Sequence, residues 1–306
     1  MDAIERSDAI EQATMTRVIE IYTGALRKAL KSKKAFLQKI ADVDSGKIKP
    51  PQYYVERGEV DKWREGFVRE LMRQNKVIDG IMEQLDAAGS DAAALIRDSM
   101  VDIYNANRQE ATETMAIAAD QMGVSATFAQ YDKRQIAVLL QEQQSPFSRL
   151  AYQNMGSNPA IRRRLQNELA QATILGESQQ EIIKRIRKIT GQTVSQARRV
   201  AQTERTRVQS QARWQAGNEA AAMGLRVYNT WSTRMINSRE SHIRLNGKSA
   251  LQGERFPGSV LRFPGDPEGP AREVINCFCV LVPDLLAPDE YIDSNGSVRR
   301  MNRGAG

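Results

Sequence analysis

The sequence predicts an α+β protein: a mostly helical N-terminal body followed by a compact C-terminal α+β module. Three observations carry this. Aromatic residues make up only 6% of the chain and hydrophobic residues 41%, so the core rests on Ala, Leu, Ile and Val, which favours helices over a β-sandwich. Apolar residues recur at helical spacing from Asp2 to about Gly224. Beyond Gly224 the pattern becomes short alternating runs, with Gly and Pro dense from Asn246 to Pro270. A length of 306 residues suits about two domains: a helical body over 1–190 and the module over 191–286, with 287–306 as a flexible tail.

Taken in order, Asp2 to about Ile40 reads as a long, moderately apolar helix that needs a partner surface. Asp44-Ser45-Gly46 and Pro50-Pro51 break it, and helical spacing resumes around Glu59 and runs to Gly80 or beyond. Ser90 or Asp91 is expected to cap a further helix, which passes through Tyr104 and Met115 and stops at Gly123. Asn158-Pro159 is an N-cap followed by proline at the first helical position, in a helix ending near Gly176. Ser178-x-x-Glu181 reads as a capping box opening a short helix that Gly191 ends. Thr193 or Ser195 then opens a helix to Gly224 with a small-residue stripe, Ala197, Ala201, Val208, Ala212 and Ala216, into which Glu204 falls.

Two segments read as strands. Leu225 to Trp231 alternates. Val274 to Val282 places Ile275, Cys277, Cys279 and Leu281 on one face and Val274, Phe278, Val280 and Val282 on the other. With both faces apolar, that strand is expected to be central and buried.

Composition excludes several classes. No apolar run reaches the roughly 18 residues that a membrane helix needs, so no membrane partner is expected. The start, Met1-Asp2-Ala3-Ile4-Glu5-Arg6, lacks the basic and apolar regions of a signal peptide. Two cysteines set as Cys277-x-Cys279 make no extracellular disulfide framework, so folding in a reducing cytoplasm is expected. The net charge is +7. Between Asn158 and Trp214, 12 basic residues face four acidic ones, and a second acid-free group holds Arg27, Lys28, Lys31, Lys33, Lys34 and Lys39. Such blocks suit nonspecific contact with DNA phosphates. The residues expected to make it are Arg162, Arg163, Arg164, Lys184, Arg185, Arg187, Lys188, Arg198 and Arg199. Few aromatics interleave to stack bases, so a solvated helix face is the competing reading.

The scarce chemistry-bearing residues gather in the module. His242 is the single histidine and Cys277 and Cys279 are the only cysteines. Residues i and i+2 of an extended chain project to one side, so two sulfurs and an imidazole suit zinc, with Asp266 or a water as fourth ligand. The competing reading is a pair of small buried thiols with His242 holding a loop. The zinc-deaminase pattern is missing, because no Glu lies two residues after His242 and no Cys-x-x-Cys is present. A Cys–His nucleophile would lack an orienting partner. Glu204, on a buried stripe, needs a cation, for which Arg199, Arg207 and Arg239 are candidates.

Six pieces occur in order: Arg199-Val-Ala-Gln-Thr203-Glu204, Trp231-Ser-Thr, Arg239-x-Ser241-His242, Leu245-Asn246-Gly247, Phe263-Pro264-Gly265-Asp266 and Asn276-Cys277-Phe278-Cys279. Together they resemble the phage Mu F-like family of minor head proteins, also called phage head morphogenesis proteins. Two departures stand out: the family's acid shortly before Arg-x-Ser-His is replaced around Met235-Ile236-Asn237, and the residue between the cysteines is Phe278 rather than Arg. A structural role tolerates both changes. The resemblance implies a minor capsid protein of a tailed phage. It would be made in the host cytoplasm, carried in the virion and associated with the portal, with the major capsid or scaffolding protein and packaged double-stranded DNA as further partners. Glu204, Arg239, His242, Asp266 and Asn276 are read as a structural polar cluster, and no enzymatic activity is expected. The alternative is a zinc-dependent hydrolase or nuclease-like effector built on the same module.

Overall fold

The computed structural model describes residues 2–156, 158–235 and 238–301. Helices dominate: α1 (Ala3–Ser32), α2 (Lys34–Asp44), α3 (Gln52–Glu56), α4 (Val60–Gln74), α5 (Val77–Gln121), α6 (Lys133–Glu142), α7 (Pro146–Gly156), α8 (Pro159–Ile174) and α9 (Gln179–Ala222). The C-terminal part follows as β1 (Val227–Ser232), α10 (Glu240–Ile243), β2 (Ser249–Leu251), α11 (Ala271–Val274), β3 (Val280–Leu285), β4 (Glu290–Ile292) and β5 (Val298–Arg300). The protein is therefore a mostly helical body with a small α+β module. No helix among the described residues is long and apolar enough to cross a membrane.

The chain resolves into two compact units. One holds Thr16–Leu95 and Leu150–Arg198; the other holds the residues up to Met15, Ile96–Arg149 and those from Arg199 onward. In the first, α8 starts as expected: the Asn158 side chain accepts from the amides of Ala160 and Ile161, and Pro159 takes the first helical position. Arg64 ties this unit together by donating to Asp44 at 2.8 Å and to the Glu177 carbonyl at 2.8 Å.

Two expected helix boundaries are absent. Ser90 lies inside α5, where its hydroxyl donates back to the Asp86 carbonyl, and α5 runs unbroken for 45 residues. Gly191 lies inside the 44-residue α9, so the expected boundary between 190 and 191 falls within a continuous helix. A glycine there costs about 1 kcal/mol relative to alanine, and the flanking turns outweigh it. Ile186, Ile189, Thr190 and Thr193 are buried, and both threonine hydroxyls satisfy carbonyls one turn back.

In the second unit every residue of α9 from Ala201 to Arg213 is buried. The small-residue stripe is fully covered, as its spacing implied. On its other faces, Gln202, Thr203, Thr206 and Gln209 find partners in the module. The sheet has the order β2-β1-β3 with antiparallel pairings, Trp231 lying opposite Leu281. Alternation along β1 buries Val227, Asn229 and Trp231.

The expected Val274–Val282 strand is corrected in three respects. Val274 ends the short helix α11, regular pairing begins only at Val280, and β3 is an edge of the sheet among the described residues. Val282 is exposed and Pro283 lacks a donor, which suits an edge strand. Between helix and strand, Asn276 turns in the left-handed region and Cys277–Cys279 follows without regular pairing, the segment's backbone held by α9 instead of a neighbouring strand. Thr203 accepts from the Asn276 amide at 2.9 Å, Gln202 and Thr206 donate to the Cys277 carbonyl at 3.0 and 2.5 Å, and Gln209 donates to that of Cys279 at 3.4 Å. Helix side chains thus satisfy backbone groups that a ladder would otherwise pair.

The tail read as flexible carries the hairpin β4–β5, closed at Asn295-Gly296 and fastened by Ser249 N–H to the Gly296 carbonyl at 2.7 Å. Residues 302–306 lie outside the described residues. Gly265 shows a close approach of a different kind: its φ is +76°, and a Cβ there would lie 2.8 Å from Arg207 Cα. Gly265→Ala is expected to lose about 2–4 kcal/mol in urea unfolding, combining left-handed strain with overpacking. Gly258→Ala, with φ +74° and nothing nearby, should show only the strain, about 1 kcal/mol. Equal losses at the two sites would refute the contact.

Candidate functional site

The loop after β1 positions the histidine. Thr233 N–H donates to Asn246 Oδ1 at 2.8 Å, Thr233 Oγ1 donates to the His242 carbonyl at 2.9 Å, and Gly247, at φ +75°, lets the chain turn back so that its N–H reaches the Trp231 carbonyl. These bonds account for the Leu245-Asn246-Gly247 and Arg239-x-Ser241-His242 patterns. Arg239 donates to the Ile275 carbonyl, and Ser241 Oγ donates to Glu273 Oε2 at 2.9 Å. Both side chains thus reach α11 and the segment that leads to the cysteines. Ile236 and Asn237, where the family's acid is replaced, lie outside the described residues.

His242, Cys277 and Cys279 converge. Nδ1 of His242 lies 3.5 Å from each sulfur, and the three donor atoms all fall within 4.8 Å of one another. All three residues are at most 2% exposed. The two sulfurs share a side as the i, i+2 spacing implied, although the segment is not a strand. Cys279 N–H donates to Cys277 Sγ at 3.4 Å. On the far side of the ring, Nε2 lies 3.2 Å from Glu273 Oε2, a close polar contact off the line of a hydrogen bond. Trp231 packs edge-on against the imidazole at 5.1 Å.

The hydrogen bond from Cys277 pulls the Cys279 thiol below the usual thiol range, opposed by burial and helped by His242 and Thr233. The same bond, together with burial, pushes Cys277 well above the usual thiol range. A thiolate at Cys279 is the form that binds a soft metal or reacts as a nucleophile.

Asp266, expected as a fourth ligand, is elsewhere. It holds Arg262 with two bonds of 2.9 and 2.7 Å and accepts the amides of Arg262 and Glu268. That knot shapes the turn which sets Gly265 against α9. Glu204 pairs with Arg207, one of its three candidate partners, at 2.9 Å. Asn276 sits at φ +55° with its amide on Thr203. The five residues expected as one polar cluster thus occupy separate places: Glu204 on α9, Asp266 in its own turn, and Arg239, His242 and Asn276 around the cysteines. The carboxylate beside the histidine is Glu273, which sequence reasoning missed; only its place three residues before Asn276-Cys277 hinted at it.

The basic residues also divide. Arg162 pairs with Asp79, Lys184 with Glu181, and Arg185 with Glu168 and Glu177. Arg163, Arg164, Arg187, Lys188, Arg198 and Arg199 are exposed and have no ion-pair partner among the described residues. Three of the 12 basic residues counted between Asn158 and Trp214 are withdrawn from any surface. Arg205 is buried against Asp8 and Glu11, Arg207 against Glu204 and Arg213 against Glu110.

Residues 163–282 match the family model for phage Mu protein F-like proteins, in agreement with the six sequence patterns. This is a phage head morphogenesis family, structural rather than catalytic. No curated protein and no solved structure matches the chain.

Proposed function

From the phage Mu protein F-like character of residues 163–282, we propose that the chain is a minor capsid protein of a tailed phage, carried in the virion after assembly in the host cytoplasm. It associates with the portal and with the major capsid or scaffolding protein during head assembly, and it touches packaged double-stranded DNA without reading sequence. The observation that carries the DNA contact is the exposed set Arg163, Arg164, Arg187, Lys188 and Arg198, which has no ion-pair partner among the described residues. Arg187 and Arg198 are eleven residues apart on α9, close to three whole turns, so both project from one face about 16 Å apart. Positive charge that no carboxylate neutralises releases counterions when it meets phosphate.

The alternative zinc-dependent hydrolase finds less support. It needs a metal position open to substrate, and the candidate donors are covered by Trp231, Thr233 and α9. A non-enzymatic role fits that burial.

Binding of the purified chain to random-sequence duplex DNA, followed across salt concentration, tests the reading. The variant R163E/R164E/R187E/K188E is expected to weaken binding at least tenfold near 0.1 M salt and to flatten the slope of log K against log salt by about 0.9 per lost phosphate contact. Reversal of Glu240, an exposed acid in the module, should leave the slope unchanged. Binding insensitive to salt and to the fourfold variant would sink the DNA contact. Failure of portal protein to co-purify from infected cells would sink the portal association separately.

A further inference from the structure

We propose that His242, Cys277 and Cys279 hold one zinc ion that fastens the loop after β1 to the segment before β3. The donors are already spaced for it. With Zn–S near 2.3 Å and Zn–N near 2.0–2.1 Å, the N-to-S edge of a tetrahedral site is about 3.5–3.6 Å. Nδ1 stands 3.5 Å from both sulfurs.

The surroundings orient each donor. Glu273 stands 3.2 Å from Nε2 on the far side of the His242 ring, leaving Nδ1 to face the sulfurs, and Ser241 anchors that carboxylate in turn. Cys277 Sγ receives the Cys279 amide, while Gln202, Thr206 and Gln209 on α9 pin the carbonyls of both cysteines. Charge also balances. Zinc displaces whatever thiol protons remain on Cys277 and Cys279, and its two positive charges then meet two thiolates, so the buried site is neutral overall. Three protein donors leave the fourth position of a tetrahedral shell to a water, as in an open site, but burial of all three residues keeps substrate from it, so the ion acts as a fastener.

The full chain, produced in zinc-supplemented cells and purified without chelator, should carry one zinc per chain by elemental analysis. Both thiols should resist an aromatic disulfide reagent until a strong chelator is added. Replacement by Co²⁺ should give thiolate-to-metal absorption in the near ultraviolet and the visible bands of a tetrahedral ion. E273Q, which removes no ligand, should weaken zinc binding about 10–100-fold. C277S/C279S should bind none. Should the double variant fail to fold, the cobalt spectrum of the unaltered chain still decides the matter. Metal-free protein whose thiols react freely, cobalt without thiolate absorption, or a folded C277S/C279S that retains full zinc would each overturn the proposal.

Discussion

Trp231→Ala is expected to cost about 3–5 kcal/mol of stability, the range for deleting a large aromatic from a packed core. Trp231 is fully buried at the centre of a cluster formed with Leu245, Phe256, Leu261, Phe263, Val274 and both cysteines. Its ring meets Phe256 edge-on at 5.3 Å and His242 edge-on at 5.1 Å, so truncation removes two aromatic contacts as well as area. The indole N–H has no acceptor among the described residues. Trp231→Phe should therefore lose far less, because it keeps most of the ring and removes an unpaired donor. Urea unfolding checks both substitutions. If phenylalanine proves as damaging as alanine, the indole N–H has a partner and the packing argument is wrong.

What the sequence made legible here was local. Asn158-Pro159 announces a helix start because a capping side chain and a fixed φ act within three residues. The strand at Val227–Ser232 shows itself through period-two alternation. Gly191 misled because a glycine stops a helix only where the chain beyond it has somewhere else to go, and the buried Thr190 and Thr193 give it reason to continue. The Asn276–Cys279 segment misled in another way. Alternation in sequence does not say what satisfies the backbone, and here the partners are α9 side chains some 70 residues earlier. Asp266 and Glu273 are both carboxylates at loop-like positions, and only folding decides which one faces the histidine. The six family patterns carried more, since several of them are bonds of this structure: Arg239 to Ile275, Thr203 to Asn276, Asn246 to Thr233 and the Gly265 turn against Arg207.

Glu204→Leu should be about as destabilising as Trp231→Ala, for an electrostatic reason. Glu204 and Arg207 have side chains only 2% and 3% exposed. The carboxylate takes Arg207 Nη2 at 2.9 Å and Ser148 Oγ at 2.5 Å, while Arg207 Nη1 also donates to Gln211 at 2.8 Å. Removing the acid strands a guanidinium inside the protein, a loss of about 3–5 kcal/mol for a buried pair broken on one side. Arg207→Met strands the carboxylate and should cost a similar amount. The double variant E204L/R207M leaves no charge to desolvate, so it should recover most of the loss, short of about 1 kcal/mol for the Gln211 bond that also goes. The cycle should therefore show a coupling of at least 2 kcal/mol. Additive losses in urea unfolding would mean that water reaches the pair and that Glu204 is not locked into the module as its burial implies. Recovery in the double variant would show that α9 carries this pair in a space that apolar side chains fill equally well, which places the stabilising contribution of the Thr203-Glu204 pattern in the Thr203 bond to Asn276 rather than in the ion pair.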